Sequence, residues 1–141
     1  MKVNAKIWLI MAVVWCIIIA IVTRNPFFTG DSTEQLLTNP FFDSVILNIV
    51  LRKTGHVTAF GILAILFWLG LRGKKYRYFL AWLFATIYGA IDEYHQSFVP
   101  GRDGVFTDVL YNSAGALLAI VCIFIIIKKY GKSELKNTSE G

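Results

Sequence analysis

Two adjacent carboxylates, an imidazole, a carboxamide and a guanidinium fall within one short stretch, Asp92-Glu93-Tyr94-His95-Gln96-Ser97-Phe98-Val99-Pro100-Gly101-Arg102. The stretch joins two apolar runs, residues 79–91 and 109–127, each able to enter a bilayer. Ionisable groups at a membrane boundary cost free energy unless they are paired or wetted, so a cluster of them marks a candidate site. Like charges held side by side beside an imidazole do not keep their protons alike, which suits them to general acid–base work. Asp92, Glu93 and His95 are therefore the candidate catalytic residues. The competing account is structural: Asp92 and Glu93 pair with Arg52, Lys53 or Arg102 and let helices meet. Nucleophilic catalysis has less support, because Ser97 and Ser113 lie in no nucleophile elbow or S-x-x-K pattern.

Two further groups carry chemistry. Arg52, Lys53 and His56 precede the apolar run 57–71, and on a helix they share a stripe of about 100° with Phe60. Arg52 and Lys53 read either as anchors reaching toward water, with His56 an ordinary interfacial histidine, or as an inward face for an anion or for Asp92 and Glu93. Asp108, Asn112 and Gly115 lie within about 60° of one another at the start of the last apolar run. Small and polar residues there favour close helix packing. Glu93, His95, His56 and Asp108 are competent metal ligands. Yet no H-E-x-x-H spacing is present, and Glu-x-His turns its two side chains about 200° apart on a helix. No metal is expected.

The elements that must position these groups are membrane helices. The chain has 141 residues, 56% hydrophobic and 16% charged, where a soluble domain carries about a quarter charged residues. The apolar residues are gathered into four runs, which predicts an all-α integral membrane protein with helices near 7–23, 52–71, 78–93 and 108–127. The first follows a short basic lead and resembles a signal peptide, but residues 23–26 offer no A-x-A-like cleavage site, so a retained helix is expected. Residues 27–48 hold Phe27, Phe28, Phe41 and Phe42, which suit the headgroup region, and residues 41–50 read as a short amphipathic helix. Thr107 or Asp108 is placed to cap the last helix. Residues 129–141 form a polar, lysine-rich tail expected to be disordered. No part of the chain outside the runs is long enough for a second domain, so residues 1–141 are one.

Charge sets the expected topology. Lys2 and Lys6, then Arg72, Lys74, Lys75 and Arg77, then Lys128, Lys129, Lys132 and Lys136 mark alternate ends of the runs. The positive-inside rule places both termini and the middle loop in the cytoplasm, and both motif-bearing regions on the outer face. A net charge of +5 distributed this way flanks apolar runs and makes no basic face, which argues against nucleic acid. Cys16 and Cys122 sit inside apolar runs without a CxxC partner and read as small apolar fillers. No P-loop or dinucleotide fingerprint is present, and no cofactor is expected.

With these residues in place the chain resembles the VanZ-like family of bacterial membrane proteins. The resemblance rests on three motifs in order. They are R-K-x-x-H (Arg52, Lys53, His56), D-E-x-H-Q-x-F-V-P-G-R (Asp92, Glu93, His95, Gln96, Phe98, Val99, Pro100, Gly101, Arg102) and D-V-x-x-N-x-x-G (Asp108, Val109, Asn112, Gly115). They span about residues 51–118. The resemblance implies a multi-pass protein of the bacterial cell membrane that lowers susceptibility to teicoplanin and related lipoglycopeptides, with no established catalytic activity. It adds Arg52, Lys53, His56, Gln96, Arg102, Asp108 and Asn112 as candidate ligand-binding residues. The implied partners are membrane lipids, a lipid-linked cell-wall precursor or a lipoglycopeptide antibiotic. The alternative is a small membrane enzyme acting on a phosphorylated or acylated lipid, with Asp92, Glu93 or His95 as acid–base.

Overall fold

The computed structural model describes residues 4–25, 44–99 and 106–139, and of Ser44 and residues 131–139 the backbone alone. Among these residues the chain forms four α-helices and no strand: α1 (Ala5–Arg24), α2 (Ser44–Gly70), α3 (Arg77–Gln96) and α4 (Phe106–Ser139). Each expected helix is present, with ends that differ for physical reasons. Residues 44–50 are no separate amphipathic helix but the first turns of α2. Nothing in Val45–Leu51 breaks helical geometry before Arg52, and the nearest proline is Pro40. At its far end α3 runs one turn beyond Glu93, which brings Gln96 onto the helix. Thr107 and Asp108 lie inside the first turn of α4, so neither is its cap. The tail is helical to Ser139, in keeping with the lysines and Glu134, good helix formers with no proline among them. The expectations for residues 26–43 and 100–105 fall outside the described residues.

The helices alternate in direction. Leu9, near the start of α1, abuts Gly70 at the end of α2. Tyr78, at the start of α3, lies tilted against Trp68 (ring centroids 5.8 Å) and meets Phe124 of α4 edge-on (5.9 Å). α2 packs against the other three helices, α4 against α2 and α3, and α1 against α2 with a lighter contact to α3.

Burial is inverted relative to a soluble bundle. Ile10, Val13, Ile17 and Ile21 of α1 are exposed, as are Leu117, Leu118, Val121, Phe124 and Ile125 of α4. The interior holds Ala12, Ala64, Ala81, Ala85 and Ala116 around Phe60 and Leu63. In water the exposed apolar surface would be a liability far larger than a monomer tolerates. In hydrocarbon it has no cost, while small interior residues let helices approach closely. Among the described residues three helices are long and apolar enough to cross a membrane: Ala5–Arg24, Val45–Gly70 and Phe106–Tyr130. α3 falls short of that measure because its last turn is polar. Cys16 is half-buried, Cys122 is exposed, and both are free thiols.

Candidate functional site

The buried stripe of α3 changes character along its length. Ala81, Ala85, Gly89, Asp92, Glu93 and Gln96 are all buried and fall on one face about 120° wide. Two turns of small residues thus give way to two carboxylates and a carboxamide. Residues three and four apart on a helix are neighbours, so Gln96 reaches both acids. Its Nε2 donates to Asp92 Oδ2 at 2.8 Å and to Glu93 Oε1 at 3.2 Å. Asp92 Oδ1 is met from α1 by the Thr23 hydroxyl at 2.9 Å, which lies equally close to the Ile19 carbonyl. One hydroxyl proton can serve only one of these acceptors at a time.

α2 and α4 supply the rest. A methyl at Gly115 would run into the Val57 backbone, 2.7 Å from its Cα. The two helices therefore touch backbone to backbone, in the manner that small residues permit. One turn from that contact His56 meets Asn112, with Nδ1 2.9 Å from Asn112 Oδ1. The same Nδ1 lies 3.7 Å from Glu93 Oε1 on α3. Gly89 makes room here: a methyl on it would sit 3.1 Å from Asn112 Cβ and 3.2 Å from Phe60 Cε1. The His56 ring lies parallel to Phe60, within 2°. Asn112 is fully buried, and its Nδ2 has no hydrogen-bond partner among the described residues.

Asp108 opens α4, where unsatisfied backbone N–H groups favour a negative charge. It is buried and pairs with the Lys53 ammonium of α2, which also lies 4.5 Å from the Tyr111 ring centroid. Together, His56 of α2, Glu93 of α3 and Asp108 of α4 each bring one ligand-competent atom to within 4.8 Å of the others. Linear spacing gave no hint of this set because each member stands on a different helix.

Of the residues singled out by sequence, Lys53, His56, Asp92, Glu93, Gln96, Asp108 and Asn112 are thus brought to one end of the bundle. His95 is not. It points about 200° away from Glu93, is exposed, and keeps its ring near Tyr94 (6.1 Å). Arg52 is half-buried and its Nε has no hydrogen-bond partner among the described residues. Arg102 lies outside the described residues. Sequence reasoning missed Thr23, an unremarkable hydroxyl at the end of an apolar run, and Tyr111, whose ring faces Lys53. The arrangement can hold an acid–base pair at Glu93 and His56, accept a cation, or fix a polar ligand.

Neither a search of curated proteins nor one of solved structures found a match. A protein-family model described as VanZ/LLP1 matches residues 7–127, which takes in α1 and the whole motif-bearing region. That span is most of the chain and includes every residue of the buried polar cluster, so this membrane protein belongs to the VanZ/LLP1 family.

Proposed function

We propose that the chain is a multi-pass protein of the bacterial cell membrane, with four spans and cytoplasmic termini. In this reading its polar cluster engages an anionic lipid headgroup or lipid-linked cell-wall precursor at the outer leaflet, and so lowers susceptibility to teicoplanin-class drugs. One observation carries the reading. Buried polar side chains from all four helices, Thr23, His56, Asp92, Glu93, Gln96, Asp108 and Asn112, gather at one end of an otherwise apolar bundle. Depth supports it. His56 to Gly70, Arg77 to Asp92 and Asn112 to Lys128 each correspond to about 21–24 Å of helix. If the basic loop 72–77 and Lys128 mark the cytoplasmic surface, the cluster sits about 6–9 Å below the other side of a roughly 30 Å hydrocarbon core. A headgroup can reach that depth between helices, and α3 completes the fourth span because its polar turn is covered by its neighbours.

The topology is tested by reporter fusions at Lys75 and Gly104, expected on opposite sides; the same side for both would end this reading. Overexpression in a Gram-positive host should raise teicoplanin tolerance more than vancomycin tolerance, because the lipid tail of teicoplanin holds it at the membrane. Alanine at Glu93 or Arg102 should remove the gain at unchanged abundance. Equal protection against both drugs would contradict the proposed site of action.

A second reading draws on the buried Glu93–His56 approach of 3.7 Å. A carboxylate beside an imidazole in a water-poor site is an acid–base pair, so the chain would be an enzyme acting on a phosphorylated or acylated lipid. Glu93→Gln separates the two readings. It would abolish turnover in an enzyme while only weakening a binder.

A further inference from the structure

Three carboxylates stand where the anionic headgroup is proposed to bind. Asp92, Glu93 and Asp108 are three buried carboxylates, and the Lys53 ammonium already lies on Asp108. An anion beside carboxylates in a low-dielectric surround is held better when a cation lies between them. From the convergence of His56, Glu93 and Asp108 we infer that the cluster binds one divalent cation of the zinc or manganese class, and that this cation receives the anionic headgroup.

The geometry meets the demands of such a site. Three donors of suitable type stand on three helices, each more than nine-tenths buried, with their ligand atoms within 4.8 Å of one another. Donors about 2.0–2.2 Å from a tetrahedral zinc lie roughly 3.3–3.6 Å apart, so side-chain movements of about 1 Å would close the set around one ion. An imidazole together with carboxylates favours zinc or manganese over calcium, which prefers oxygen alone. The second, independent observation is Asn112. It is fully buried against His56, yet its Nδ2 has no partner among the described residues, which is costly in a purely structural amide. With the ion on His56 Nε2, Nδ1–H donates to Asn112 Oδ1 and the amide orients the imidazole as the partners of metal-bound histidines do, while a coordinated ligand oxygen would give Nδ2 an acceptor. Gln96 stands in the same supporting relation to Glu93. Three protein ligands leave a coordination position open, as sites that bind exogenous ligands do. Lys53 is the competitor: its ammonium shares Asp108 and lies 4.5 Å from the Tyr111 ring centroid, where a displaced ammonium would remain stabilised.

This inference rests on the headgroup reading for its role, but not for its existence, and the experiment keeps them apart. The full chain, purified in phosphatidylcholine nanodiscs and stripped with chelator, is titrated with Zn2+ and with Mn2+, reading bound ion per chain. One ion per chain is expected. His56→Ala, Glu93→Gln and Asp108→Asn should each weaken binding by roughly tenfold or more, with Cys122→Ser as a neutral control. Lys53→Met should tighten it several-fold by removing the competitor, an effect that a plain structural ion pair does not predict. No stoichiometric ion in wild type, or an ion retained by the His56→Ala/Asp108→Asn double variant, would mean an adventitious ion only and overturn the site. Misfolded variants cannot mimic support, because Lys53→Met must gain affinity. A second arm adds phosphatidylglycerol to the nanodiscs. Binding of that lipid that needs the metal supports the bridge; binding indifferent to chelator overturns the cation's role and leaves the headgroup reading standing. Stoichiometric metal without lipid binding does the reverse.

Discussion

The buried stripe of α3 has two halves that obey different rules. Toward Arg77 it is Ala81, Ala85 and Gly89, and α4 answers it with Ala116 and Ile120. Toward Gln96 it is Asp92, Glu93 and Gln96, answered by Asp108 and Asn112. Both halves are equally buried, yet only the first is what close packing in lipid asks for. Small residues bring helices together without polar atoms to satisfy. The second half carries groups that are expensive at that depth and that apolar residues of similar volume often replace without loss. Beside the first half Trp82 Nε1 and Thr86 Oγ1 both reach Ser113 Oγ at 3.1 Å, a modest polar joint. The difference teaches that close packing in lipid accounts for the alanine half and not for the carboxylate half, which is why the proposed function rests on the latter.

Substitutions can break that contrast or sharpen it. The largest effect is expected of Gly115→Val, since even one methyl meets the Val57 backbone. It should separate α2 from α4, cost about 3 kcal/mol or more, and remove both halves at once, seen as poor accumulation and early thermal aggregation in detergent. Next is Ala85→Leu, in the scaffold half, expected to cost about 1–3 kcal/mol by overpacking. Whatever protein folds should keep full tolerance activity per molecule. Smaller again is Thr23→Val, which removes one hydroxyl donor to Asp92. About 0.6 kcal/mol is the typical worth of such a bond between membrane helices, measurable by unfolding in mixed micelles.

How much of this was legible in the sequence follows the same division. The apolar runs announced the helices, because a run long enough to cross hydrocarbon is a local property. The join of residues 44–50 to α2 was hidden by Asn48 and by the basic pair Arg52-Lys53, which read as a boundary but lie within one continuous helix. Polar motif residues were legible as a set, from their types. Their pairings were not. Thr23 and Asp92 are on α1 and α3, and His56 meets Asn112 only because Gly115 lets two backbones touch. His95 looked as suitable as His56, and helical phase decides against it: two residues from Glu93 is the opposite face.

Glu93→Gln tests the central claim most directly, with stability and binding measured on the same preparation. The substitution keeps side-chain shape and an acceptor for Gln96, while removing a buried charge. If the carboxylate half exists for function, any loss of thermal stability should stay below the roughly 3–5 kcal/mol that follows when one partner of a buried structural ion pair is removed. Capture of phosphatidylglycerol by the chain in nanodiscs should meanwhile fall at least tenfold. A loss of stability with lipid capture per folded molecule unchanged would show that Glu93 holds helices together and nothing more, and the account would be wrong.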